Sequence, residues 1–86
     1  MRPLFISTMR DDLQLIHCAL EQSDGRIVAQ RLHSIAGALG AVQAINLAER
    51  CTALECRLAG GVVDASLHLE VQQILTRLAA VVDALE

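Results

Sequence analysis

The chain has 86 residues, 53% of them hydrophobic, with one aromatic side chain (Phe5), one proline and a formal net charge of −3. That length supports one small domain around one core, with no room for a second domain or for a fold that wraps a cofactor. The acidic balance and the lack of any Lys/Arg cluster argue against nucleic acid, whose phosphates need a concentrated basic face, and favour a soluble protein partner.

Alanine and leucine dominate, a bias towards helix over sheet, so an all-α protein is expected. The first segment, Pro3 to about Gln22, carries Phe5, Met9, Leu13, Ile16 and Leu20 at helical three-and-four spacing. It stops at "SDG", where Ser23 and Asp24 are turn formers and candidate caps. The second segment, about Asp24 to Val42, has the stripe Val28, Leu32, Ile35, Leu39 and Val42.

The third segment runs from about Ala44 to Ala59 with Leu47, Cys51, Leu54 and Leu58 on one face, and Gly60-Gly61 stops it. The turn before it is placed near Gln43 to Asn46, although the glycines of "GALGAVQAIN" precede that boundary. The fourth starts near Asp64 as its cap and repeats the pattern with Leu67, Val71, Ile74, Leu78, Val81 and Leu85. Four amphipathic helices with short connections predict an antiparallel up-down-up-down four-helix bundle, a single domain over residues 1–86.

No apolar run approaches the roughly 20 residues of a bilayer crossing, and "MRPLFISTMRDD" lacks a signal peptide's long apolar region. A cytoplasmic protein without direct membrane contact is expected. Cys18, Cys51 and Cys56 are odd in number and form no CxxC motif, so buried free thiols are expected, and neither a disulfide framework nor a metal site. His17 and His68 have no distinctive small-residue surroundings and are read as structural or incidental.

His33 is different. It falls roughly 130° from the centre of its helix's apolar stripe, so it is not a core residue. Arg26, Ala29, Gln30, Ala36, Gly37 and Gly40 share its side, and most of them lack bulk. Gly37 costs about 1 kcal/mol against alanine in a helix interior, and close approach of another molecule to the imidazole would compensate. An exposed, unprotonated imidazole is a competent nucleophile. The chain has no recognisable nucleophile–base–acid set, phosphate-cradling glycine loop or Mg²⁺-binding carboxylate cluster, so the rest of any active site must come from elsewhere.

"HSIAG" (33–37) followed by "LAERCTALE" (47–55) resembles the signature of histidine-containing phosphotransfer (HPt) domains, in particular those at the C-termini of hybrid sensor kinases. The likeness extends over the whole four-helix layout. It implies a phosphorelay module without kinase machinery of its own. His33 would accept a phosphoryl group from a receiver-domain aspartyl phosphate and pass it to the aspartate of a response regulator. It also implies a docking surface at Gly37, Ala36, Gly40, Gln30, Ser34 and Arg26, with Mg²⁺ supplied by the receiver and no cofactor held by this chain. Separately, Gln30 lies one turn before His33, where it could hydrogen-bond the ring and fix which nitrogen is free to react, although an exposed glutamine is usually just solvated.

This sequence departs from the family at two positions. Ala36 stands where a lysine is common, and Gln43 where a glycine is common. The missing lysine removes a point charge that could steady the phosphoryl group. It also motivates an alternative, a module that docks a receiver or kinase without being phosphorylated. A second alternative is a dimerising adapter using Leu69, Leu75 and Val82 beside the main stripe of the fourth segment; a monomer is expected, since a small bundle needs a wide stripe for its own core. The chain stops at Glu86 directly after the last core position, as an excised C-terminal domain would.

Overall fold

The computed structural model describes residues 4–41 and 43–85. They form α1 (Leu4–Glu21), α2 (Gly25–Ala41), α3 (Ile45–Leu58) and α4 (Ala65–Leu85). Each helix packs on the next and α4 closes back on α1, which puts α1 diagonal to α3 and α2 diagonal to α4. The antiparallel register is visible in pairs that cross between neighbours: Arg10 of α1 meets Asp83 of α4 at 2.8 Å, and Arg57 of α3 meets Glu70 of α4. This is the expected all-α four-helix bundle.

Both predicted acidic caps close their helices. Asp24 Oδ1 accepts a hydrogen bond from the Ile27 amide at 3.3 Å, and Asp64 Oδ1 accepts one from the Leu67 amide at 2.8 Å. Each satisfies an amide that the first helical turn leaves without a backbone partner.

The turns that end α1 and α2 share one device. Ser23 (φ 56°) and Gln43 (φ 64°) adopt the left-handed conformation. In α1, Ser23 N–H bonds Leu20 C=O at 3.0 Å and Asp24 N–H bonds Ala19 C=O at 2.9 Å. In α2, Gln43 N–H bonds Gly40 C=O at 3.1 Å and Ala44 N–H bonds Leu39 C=O at 2.9 Å. This is the Schellman closure, which usually has glycine at the left-handed position. Gln43 therefore occupies a site where a side chain costs roughly 1–2 kcal/mol, which explains why a glycine suits it and why the sequence marks this boundary so weakly. The turn lies slightly earlier than expected, and Ile45 and Asn46 belong to α3.

The predicted stripes of α2 and α3 are buried at Val28, Leu32, Ile35, Leu39, Cys51, Leu54 and Leu58, while Leu47 is only partly buried. The outer helices differ from expectation at a few positions. Ile6 joins Met9, Ile16 and Leu20 in the core and Leu13 is only partly buried; Val82 takes the core position expected of Val81. A straight 3.6-residue helix drifts across a fixed three-and-four pattern, so the residues it presents to the core change along its length. Pro3 and Val42 lie outside the described residues, as do the side chains of Phe5 and Leu85.

Because Val82 is buried and Leu75 packs against the core, two of the three residues of the supposed dimer face serve this chain's own interior, and Leu69 alone of them is largely exposed. Gly25 opens α2 where the α1–α2 and α3–α4 connections touch. A Cβ there would sit 2.8 Å from the carbonyl carbon of Gly61, so only glycine lets the two backbones meet. No helix among the described residues is long and apolar enough to cross a membrane.

Candidate functional site

His33 sits near the middle of α2 with its side chain 77% exposed. Leu32 and Ile35 of the same helix are fully buried, so the apolar stripe fixes the rotation of α2 and turns His33 outward. The ring is not isolated. Its Nδ1 lies 3.1 Å and 3.2 Å from the two carboxylate oxygens of Glu55, which projects from α3 and is itself only 28% exposed. A carboxylate only accepts hydrogen bonds, so a neutral ring held this way carries its proton on Nδ1 and keeps the lone pair on Nε2. A positive charge developing on the ring as Nε2 forms a bond would be stabilised by the same carboxylate.

Glu55 lies within "LAERCTALE", and helical periodicity alone does not single it out. A signal for it does exist: Ala44 lies midway between His33 and Glu55 in sequence, so a tight antiparallel turn there brings the two opposite one another. The partner of Nδ1 therefore comes from the neighbouring helix. Gln30 lines a shallow groove between α2 and α3 together with Ala29, His33, Glu55, Cys56 and Ala59.

The other predicted surface residues separate into distinct settings. A Cβ on Gly37 or Gly40 would meet nothing within 4 Å, so both glycines leave open space on the outer face of α2. Ala36 is partly buried against the core, and Ser34 turns its hydroxyl to Asp12 Oδ2 at 3.5 Å. Arg26 lies at the far end of α2, its Cγ 3.3 Å from where a Cβ on Gly61 would stand, so its stem covers the α3–α4 turn.

Among the described residues, no group of three His, Cys, Asp or Glu side chains is placed to hold a metal ion. His17 pairs with Glu21 one turn away at 3.4 Å on the exposed side of α1, and His68 is half-buried on α4.

The thiols correct another expectation, since only Cys51 is buried whereas Cys18 and Cys56 are exposed. Burial pushes the Cys51 thiol up to about 11, against a smaller opposing pull from Arg50. Thiolates are the reactive species, so a brief maleimide treatment of the folded protein should modify Cys18 and Cys56 and spare Cys51. Mass analysis checks this, and rapid modification of all three would mean that the core around Cys51 is open.

A family model described as Hpt domain matches residues 1–85. No curated protein and no solved structure matches the chain.

Proposed function

The chain belongs to the Hpt-domain family, whose members carry out histidine phosphotransfer in two-component signalling, and from that premise we propose that His33 is the phosphoacceptor of a phosphorelay, loaded by one receiver aspartate and emptied by another. The observation that carries this reading is the pairing of an exposed imidazole with a carboxylate on Nδ1. In the loading step the Nε2 lone pair attacks the phosphorus of a receiver aspartyl phosphate in line with the departing oxygen. An N–P bond forms, the acyl P–O bond breaks, and the aspartate leaves as a carboxylate. The ring gains positive charge, its Nδ1 proton shared with Glu55. Unloading is the same step in reverse towards the second aspartate.

Hpt domains are phosphotransfer modules without kinase machinery, and the same division of labour is proposed for His33. Its groove holds alanines, Gln30, Glu55 and Cys56, with Ala36 where a lysine is common and Arg26 engaged at the end of the helix. The positive charge and the Mg²⁺ that stabilise the equatorial oxygens would come with the receiver. The docking surface would be the open face of α2 around Gly37 and Gly40, flanked by Gln30, Ser34 and Ala36, with Arg26 at its margin. Receivers of a hybrid sensor kinase and of a response regulator are the partners this predicts, met in the cytoplasm by a monomer.

Transfer from a panel of phosphorylated receiver domains tests the reading, with label on this protein expected to be acid-labile and alkali-stable. Absence of label from every receiver that measurably docks would replace it with the binding-only alternative, which Ala36 favours.

Gly37 gives a second test. Replacing it with glutamine fills open space on a helix surface, so stability should hold or rise by up to about 1 kcal/mol. The same side chain stands one turn from His33 in the path of a receiver, and transfer should slow roughly tenfold or more. Equal transfer rates for both proteins would remove the close-approach explanation for this glycine.

A further inference from the structure

We propose that Asp12 is a positioning residue for His33: from α1 it pins the register of α2 and thereby keeps the imidazole against Glu55. Its functional meaning rests on the reading of His33 as phosphoacceptor.

Asp12 is the one charged side chain buried among the described residues, at 6% exposure. It reaches across the α1–α2 seam. Its Oδ1 accepts from Arg31 Nη1 at 3.4 Å, and its Oδ2 accepts from the Ser34 hydroxyl at 3.5 Å. These two donors bracket His33, two residues before it and one after. Arg31 Nε is buried without a hydrogen-bond partner, the rest of the side chain is partly exposed, and Asp12 is the anion that its Nη1 reaches.

Both contacts are long, so their worth lies in placement more than in strength. A carboxylate inside an apolar seam is strongly disfavoured without partners, and of its two donors the short Ser34 side chain reaches it over only a narrow range of positions of α2 against α1. The seam around it is lined by Leu4, Thr8, Met9 and Ala38, small or flexible side chains that would pack comparably after a slight slide or rotation. Buried polar groups are best attested in this role of fixing register.

The consequence falls on the other side of α2. His33 meets Glu55 at 3.1–3.2 Å across the α2–α3 groove, and a shift of about 1 Å would carry that contact beyond hydrogen-bond range. A ring released from Glu55 returns to the ordinary imidazole preference for a proton on Nε2, the nitrogen that must be free to attack. Asp12 thus acts on the reaction through the tautomer of His33, without touching the phosphoryl group.

The test reads that tautomer directly, by long-range ¹H–¹⁵N NMR of the His33 ring at alkaline pH, in the wild type, Asp12→Leu, Asp12→Asn and Ser34→Ala, with Glu55→Ala as reference for a ring without its carboxylate. The wild type should hold the Nδ1–H form. Asp12→Leu should lower the melting temperature, because Arg31 loses its anion, shift the ring towards the Glu55→Ala spectrum, and slow phosphoryl transfer roughly tenfold or more. Asp12→Asn, which retains an acceptor oxygen, should fall between the two. A wild-type tautomer in Asp12→Leu overturns the proposal, and so does a wild-type ring already protonated on Nε2. If Asp12→Leu does not fold, unchanged tautomers in both Asp12→Asn and Ser34→Ala overturn it instead. Dependence of the tautomer on Asp12 in a protein that accepts no phosphoryl group would support the positioning role and remove the phosphoacceptor reading, so the two stand or fall separately.

Discussion

Replacing His33 with glutamine is expected to abolish phosphoryl acceptance from every receiver that loads the wild type, while folding and receiver docking persist. Glutamine has a comparable reach but no lone pair of imidazole nucleophilicity, so the N–P bond cannot form. The fold should tolerate the change. The His33 side chain is 77% exposed, and an exposed pair with a neighbouring carboxylate contributes at most about 1 kcal/mol. Glutamine is also at least as good a helix former as histidine. Two measurements decide the matter: label transfer from a phosphorylated receiver, and binding of the same receiver in its unphosphorylated state. Label on the variant would move the acceptor to another side chain. Lost docking would mean that the imidazole itself holds the partner.

Leu32→Ala should produce the largest loss of stability among single changes near the site, about 2–5 kcal/mol. Leu32 is fully buried in the core cluster that joins all four helices, and it directly precedes His33. Truncation removes apolar burial and leaves a cavity that a small bundle can only partly close. In a domain of this size the midpoint of thermal unfolding should fall by about 10 °C or more. Since total stability is itself only about 4–13 kcal/mol on a per-residue basis, a substantial unfolded fraction is expected on warming. Thermal and urea unfolding followed by circular dichroism check this. A loss under about 1 kcal/mol would mean that α2 is rotated from the orientation that turns His33 outward.

These two residues also show how much of the molecule is legible in its sequence. Leu32 and His33 are neighbours with opposite fates, and the three-and-four spacing of Val28, Leu32, Ile35 and Leu39 separates them without reference to any other helix. The capping roles of Asp24 and Asp64 are equally local, because a short carboxylate before a helical run has its acceptor within reach of an amide three residues on. Gln43 is local too, yet its signal is weak: the left-handed turn usually declares itself by glycine, and here an ordinary side chain accepts the strain.

What the sequence by itself determined is therefore whatever a single helix decides: four amphipathic segments, their caps, the faces they bury along most of their length, and an outward histidine among small residues. Only the tertiary structure decided which side chains meet across helices. It brought Glu55 to Nδ1 of His33, sent Ser34 to Asp12 and away from the imidazole, and left Cys56 in the groove beside the ring. The physical reason is that helical periodicity fixes the angle of a residue about its own axis, whereas a cross-helix contact also needs the slide and rotation of one helix against another. Those are set by how the whole core packs, and by a few buried polar contacts whose partners lie far apart in the chain.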